Sequence, residues 1–479
     1  MVVGEISQQR NLIIIGGGPG GYTAAVRGAQ LGLSVTLIEQ AEIGGTCLNK
    51  GCIPSKTFTH AAKKRAETVH LQELGIGDGT AAFDFSKLLA YKDKVIVGLR
   101  TGVESLCKNN KIEVIRGKAT FLGPDKIGVE NGHQFDIYEF EQAIIATGSS
   151  PVLPLSLNAE GKRIILSHNI FELEELPEHL LVKGNDYMAL EVASSFAALG
   201  AKVSILFEDN TGFAFDESIH KEMLRLFKRR KIEVHRDVQI ISVNETDDEI
   251  AVIFQNDKKV EKTIWGSHLF VTGTRAANVE SLGISRIGVK QTNEGFILVD
   301  GSLRTSIPSI YAIGDVTEGP LLAVKAIKQG KAVVEEIAGM KPEVDLTFTP
   351  VVAHTLPPAV SVGLTEQKAR DFGIEVRVSQ FPLGGNGYAA ITGKKDGFIK
   401  VISNPETEMI SGIHMIGEGA IELSGSFVQL LEMAAKEEDV KFPLYAHPGY
   451  SEGLLEAVEG LIDQAIHAAP AKKKDLLNI

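Results

Sequence analysis

Residues 11–40 read NLIIIGGGPGGYTAAVRGAQLGLSVTLIEQ, and few folds accommodate that order. Four consecutive apolar residues, Leu12 to Ile15, predict a strand buried on both faces, as in a parallel sheet. Gly16-x-Gly18-x-x-Gly21 follows as a tight turn, Tyr22 to Leu31 as a helix, and a second strand ends at Glu39. The glycines let backbone N–H groups and a helix amino terminus meet a pyrophosphate, while Glu39 can accept from a ribose hydroxyl. A glycine-rich turn alone is weak grounds. Strand, turn, helix, strand and terminal acid in order predict a dinucleotide-binding unit.

The chain has 479 residues, too many for one ordinary core, so two to four domains are expected. A formal charge of -12 with no long basic stretch argues against nucleic acid as a partner, and Lys472 to Lys474 read as a solvated tail. The amino terminus reaches a glycine turn too soon for a signal peptide, and no run is long and apolar enough to span a bilayer. With three cysteines a disulfide scaffold is excluded, and a cytoplasmic location is the default expectation.

Two of those cysteines, Cys47 and Cys52, lie in GGTCLNKGCIPSK, followed by a helix-like run. They read either as two buried thiols or as a redox pair, since a helix start and nearby Lys56 would stabilise a thiolate, the nucleophile of disulfide exchange.

GGTCLNKGCIPSK resembles the active-site signature of the flavin disulfide reductases, in particular the dihydrolipoamide dehydrogenase branch. The similarity continues through ATGS at Ala146 to Ser149, TSIPSIYAIGDVT at Thr305 to Thr317, and PPAVSVGLTE at Pro357 to Glu366. It implies an α/β chain of two Rossmann-like domains, of FAD and NAD type, with an α+β carboxy-terminal dimerisation domain. The expected boundaries are 1–150 and 275–342 for the FAD side, 151–274 for the NAD-type domain, and 343–479 for the interface domain. The resemblance further implies that Gly16, Gly18, Gly21, Glu39, Gly45, Thr46, Lys56, Lys118, Ala119, Thr147, Gly148, Ser149, Gly314, Asp315, Leu322 and Ala323 bind FAD.

By the same resemblance Cys47 attacks the substrate disulfide, Cys52 faces the flavin, and Glu191 pairs with Lys56 beside it. Without that motif match, Glu191 reads as a solvated helix carboxylate; the match favours the pairing. AHPGYSEGLLEA resembles the family's His-Glu dyad, with His447 as base and Glu452 fixing its tautomer. In that family the dyad acts in the partner subunit's site, so the resemblance implies a homodimer working on a dithiol or disulfide substrate, with a lipoyl-carrying protein as the candidate partner.

The second glycine fingerprint departs from the pattern. Gly184, Asp186 and Ala189 stand at its three positions, with Asp186 replacing the glycine nearest pyrophosphate. Lys183 ends a strand expected to be apolar, Glu208 ends the next, and Thr274 follows Gly273 where the family shows arginine, leaving Arg275 without a safe role. Gly449 and Tyr388 depart from the family near the base. Asp186 precedes a helix expected over Tyr187 to Leu199 and is placed to cap it, with Lys183 near enough in sequence to pair with it; alternatively Asp186 turns outward and NAD still binds.

Three functions follow: a dithiol–FAD oxidoreductase with weak or absent NAD use, a conventional NAD-dependent dihydrolipoamide dehydrogenase, and a non-enzymatic FAD-binding scaffold. Retention of Cys47, Cys52, His447 and Glu452 together weighs against the last.

Overall fold

A computed structural model describes residues 7–78, 82–154, 157, 161–167, 169–208 and 215–468. The lysines at 472–474 lie outside the described residues.

The amino-terminal sheet runs in the order Glu113–Arg116, Val35–Glu39, Ser7–Ile15, Gln134–Ile145, Lys126–Asn131, Lys118–Gly123, and Ile310–Ala312 also pairs with Gln134–Ile145. Its central strand is apolar because both faces are covered. Leu12 and Ile14 enter one core cluster with Ala24 and Leu37, while Ile13 and Ile15 enter another with Phe121 and Ile145. That strand starts at Ser7 and not at Leu12, because the long Gln134–Ile145 strand offers parallel partners from Ile137 onward. The first helix is Pro19–Gln30, beginning before the expected Tyr22; proline at its start has φ preset for a helix and lacks the N–H that would go unpaired.

The middle of the chain forms a second parallel sheet, ordered Glu233–His235, Lys202–Leu206, His179–Lys183, His268–Val271, Ile164–Leu166. Helix Tyr187–Ala198 packs on it with Ala189, Leu190, Ala193 and Phe196 fully buried. Three antiparallel strands, Gln239–Glu245, Ile250–Gln255 and Glu261–Gly266, attach to this unit. Ser149–Pro151 and Arg275–Ala277 pair antiparallel, so the chain leaves and returns through one two-stranded link.

The carboxy-terminal part is an antiparallel sheet of Val351–Ala353, Ala359–Gly363, Ile410–Ile416, Phe398–Ser403 and Arg377–Pro382, covered by helices Ala420–Glu432 and Glu452–Glu459. An ion pair without solvent contact joins it to the middle unit. Lys400 Nζ lies 2.8 Å from Asp216, which precedes helix Glu217–Arg229, and both side chains are essentially inaccessible. Among the described residues no helix is long and apolar enough to cross a membrane.

Candidate active site

A cavity of about 820 Å³ opens where the first sheet, its glycine turn and the middle unit meet. Gly16, Gly18, Glu39, Gly45, Thr46, Thr147, Gly148, Ser149, Gly314, Asp315 and Ala323 all line it, as do Cys47, Cys52, Lys56 and Glu191. Four of the residues expected at the cofactor do not. Lys118 and Ala119 open strand Lys118–Gly123, directly after Gly117, whose N–H donates to the Glu39 carbonyl at 3.0 Å; Leu322 precedes helix Ala323–Ile337, and Gly21 is inside helix Pro19–Gln30. Gly21 serves packing: a Cβ there would lie 1.8 Å from the Gly16 carbonyl oxygen.

The thiols sit on two helices set in series. Cys47 is in the short helix Gly45–Asn49 and Cys52 opens helix Cys52–Glu73; they form a disulfide with Cα atoms 4.6 Å apart. Cys52 is thus at a helix amino terminus, where the partial positive charge favours a thiolate once the bond is reduced. One turn on, Lys56 reaches Glu191 from the middle unit at 2.7 Å. Glu191 is no solvated carboxylate. It is 1% exposed and accepts from Ser55 Oγ at 2.7 Å and from the backbone N–H of His354 at 2.9 Å. Burial pushes its pKa up, but the Lys56 charge and these hydrogen bonds outweigh that and hold the carboxyl below its ordinary range. The Lys56 ammonium also lies 5.9 Å from the centre of the Tyr187 ring.

The two helix amino termini nearest the two glycine fingerprints differ in one respect. Helix Pro19–Gln30 has no side-chain cap and no acid in its first turn. Helix Tyr187–Ala198 is capped by Asp186, whose Oδ1 accepts the Ala189 N–H at 2.9 Å. Burial raises the Asp186 pKa above its ordinary value despite that bond. The pairing expected between Lys183 and Asp186 is not present. Lys183 instead meets Glu208 at 2.8 Å, because its strand lies parallel to Lys202–Leu206 with Lys183 opposite Leu206, two residues before Glu208. Glu208 is past the strand end and exposed. Gly184 and Gly273 both have positive φ, and a Cβ on Gly184 would clash with Thr272 Oγ1 at 2.0 Å. None of Gly184, Asp186, Ala189, Glu208 and Gly273 lines the main cavity.

His447 and Glu452 are hydrogen bonded, Nδ1 to Oε1 at 2.7 Å, and the Gly449 N–H donates to Glu452 Oε2 at 2.8 Å. The imidazole is 80% exposed and does not line the cavity of its own chain. Tyr388 packs edge-on against Tyr450 at 5.1 Å.

Sequence reasoning left Arg275 unassigned and missed Asn278. Arg275 lines the cavity and donates to Ser149 Oγ at 2.8 Å and to Ser149 O at 2.7 Å, and Ser149 Oγ in turn donates to Asp315 at 3.0 Å. Asn278 accepts from Ser150 Oγ and donates to Thr147 O, fixing the strand end that carries Thr147 to Ser150. Both positions depend on the antiparallel link to Ser149–Pro151, which leaves no local signal in the sequence.

Residues 10–330 match the family described as Pyridine nucleotide-disulphide oxidoreductase, and residues 349–458 match its dimerisation domain. The chain belongs to this family. It is 37% identical to the dihydrolipoyl dehydrogenase of Geobacillus stearothermophilus over 98% of this chain and 99% of that protein. It is 38% identical to that of Thermus scotoductus over 95% and 98%. The structure of the HOCl-induced flavoprotein disulfide reductase RclA from Escherichia coli superimposes with a TM-score of 0.84, covering 94% of this chain and 99% of that one at 26% identity.

As a member of the pyridine nucleotide-disulphide oxidoreductases the chain is an enzyme, a flavoprotein disulfide oxidoreductase of dihydrolipoyl dehydrogenase-like type. The family implies use of FAD and of NAD(P). The first cradle fits its cofactor: helix Pro19–Gln30 presents free N–H groups, and glycine is required at Gly45, where a Cβ would stand 2.7 Å from the Gly18 Cα. The second differs: Asp186 accepts one helix N–H, that of Ala189, and Lys183 pairs with Glu208.

Proposed function

We propose that the protein is a FAD-dependent thiol–disulfide oxidoreductase that moves electrons between a lipoyl-type dithiol and FAD through Cys47 and Cys52, with weak or absent use of NAD. The observation that carries this reading is the Cys47–Cys52 disulfide in the wall of the same cavity as the uncapped glycine turn. Bound there, FAD supplies a two-electron partner for the cysteine pair. The chain's own residues do the rest. Cys47 meets the substrate sulfur, Cys52 is the resolving sulfur, and Lys56 keeps a cation in the cavity, oriented by buried Glu191.

His447 is the base for the dithiol. Its imidazole is tied to Glu452 through Nδ1, which leaves Nε2 free to accept a thiol proton. Because it lies outside its own chain's cavity, a second copy must bring it to the disulfide, so the working unit is a homodimer.

A conventional NAD-dependent dihydrolipoamide dehydrogenase is the second reading, favoured by full-length identity of 34–38% to proteins of that name. Anaerobic titration of the purified protein with dihydrolipoamide and with NADH, following flavin bleaching, separates the two. Reduction by the dithiol at far lower concentration than by NADH is expected. Equal reduction by both returns the enzyme to the second reading, and a protein that cannot be loaded with FAD removes both.

A further inference from the structure

His447 stands on a projecting tip. Ala446, His447 and Pro448 are all exposed, so the base has little packing of its own against this chain. The residues on either side of the tip are tied down. Before it, the Tyr445 hydroxyl donates to the Val440 carbonyl at 2.8 Å. After it comes Gly449, which has no side chain to hold it and is fixed through both of its backbone groups. Its N–H donates to Glu452 Oε2 at 2.8 Å, and its carbonyl accepts from Asn386 Nδ2 at 2.9 Å. The next residue is held from the same side: the Tyr450 hydroxyl meets Thr392 Oγ1 at 2.7 Å, and its ring lies edge-on to Tyr388. Asn386, Tyr388 and Thr392 belong to or flank one short helix, Gly387–Ile391.

We infer that Asn386 is a positioning residue for the base, acting through Gly449 to hold His447 where a second copy's cysteine pair meets its dithiol. The inference rests on the dithiol reading above. Glu452 bridges His447 Nδ1 and the Gly449 N–H, so the imidazole follows the Gly449 backbone. Asn386 ties that backbone to the core. It is 4% exposed, its own N–H donates to the Leu383 carbonyl at 3.0 Å, and its Oδ1 accepts the N–H of Ala389 at 2.9 Å; Leu383 and Ala389 are both fully buried. The amide can sit only one way round, because the reverse would set NH2 against the Ala389 N–H and oxygen against the Gly449 carbonyl. Thr392 adds a second tie through Tyr450. A general base works only within hydrogen-bond reach of its proton, and a displacement of about 1 Å costs on the order of a hundredfold in rate.

The test uses the FAD-loaded dimer and follows flavin reduction by dihydrolipoamide, with dithionite as a donor that bypasses the disulfide. Asn386→Ser keeps a side-chain oxygen able to cap Ala389, since serine is as good an N-cap as asparagine, but is too short to reach Gly449. It is expected to lower the limiting rate with dihydrolipoamide by roughly 10- to 50-fold, less than loss of the base itself, with KM and reduction by dithionite unchanged. In the His447→Gln background the same change is expected to have no effect, because Asn386 acts only through that imidazole. An unaltered rate in Asn386→Ser, or equal losses in both backgrounds, overturns the inference. Thr392→Val, which removes only a half-buried hydroxyl, is expected to lose about two- to fivefold with the same dependence on His447. Full activity in Thr392→Val together with loss of the dimer in Asn386→Ser makes the contact structural and also overturns it.

Amide hydrogen exchange needs no substrate. The segment 445–452 is expected to exchange about three- to tenfold faster in Asn386→Ser, the scale of one lost hydrogen bond, with the rest of the protein unchanged. Unchanged exchange in that segment overturns the inference. Faster exchange there, in a protein that dihydrolipoamide does not reduce at all, places the failure in the functional reading.

Discussion

Lys183 and Glu208 form an ion pair at 2.8 Å, with Lys183 at the end of strand His179–Lys183 and Glu208 just past the end of the neighbouring parallel strand Lys202–Leu206. In the same fingerprint the Asp186 carboxylate accepts the Ala189 N–H at 2.9 Å, so an acid already caps the helix that a pyrophosphate would meet.

Asp186→Gly is therefore expected to strengthen NADH binding. A carboxylate about 5 Å from one pyrophosphate charge costs roughly 3 kcal/mol at an effective dielectric near 20, about two orders of magnitude in affinity. Because burial raises the Asp186 pKa, that repulsion fades as pH falls through the raised value, so NADH affinity of the unaltered protein should increase toward acid and that of Asp186→Gly should not. Calorimetry at two pH values checks both statements. An ordinary micromolar affinity in the unaltered protein at neutral pH contradicts them.

Cys47→Ser and Cys52→Ser should each abolish reduction by dithiol while leaving FAD bound, because exchange needs an attacking and a resolving sulfur. Cys107, the buried free thiol, should tolerate serine with only a modest loss of stability, since it packs in the first core cluster away from the cavity. Stopped-flow flavin absorbance with a parallel measurement of bound FAD separates catalytic from structural loss.

Lys400→Met should destabilise the protein by about 3–5 kcal/mol, because Asp216 would be left charged without its partner in a solvent-free junction. Asp216 also accepts from Ser218 and from the Glu366 N–H, so relaxation is restricted. The double change Lys400→Met with Asp216→Leu should recover part of the loss. Denaturant unfolding of all three proteins measures it.

Stability should fall as pH drops from about 6.5 toward 4. His414 is fully buried between Ser361 Oγ and the Leu364 carbonyl, and burial pushes its pKa down to about 4 from 6.5. Burial also lowers His179, His220, His235, His268 and His354. A depressed histidine pKa means the unfolded chain binds more protons in this window, so acid favours unfolding; His414 alone accounts for roughly 3 kcal/mol across it. His414→Gln should flatten the acid dependence of denaturant midpoints by a comparable amount. An unchanged slope refutes the assignment.

Local pattern determined the first dinucleotide unit, the cysteine pair and the cap at Asp186, because each depends on residues within a few positions of one another: an apolar strand before a glycine turn, a helix start at Cys52, a carboxylate preceding Tyr187. The His447–Glu452 contact belongs to the same class, five residues apart at a helix start. What the sequence could not decide are contacts made by segments far apart along the chain. Lys183 was close to Asp186 in number, yet strand register put it opposite Leu206 and beside Glu208. Arg275 acquired a place in the cavity through pairing with Ser149–Pro151, and Glu191 became a buried acid because the His354 N–H arrives from the carboxy-terminal sheet. Nearest-neighbour chemistry fixes caps, turns and helix starts; which charge meets which across a sheet or between domains is set by register and packing, and only the tertiary structure decides it.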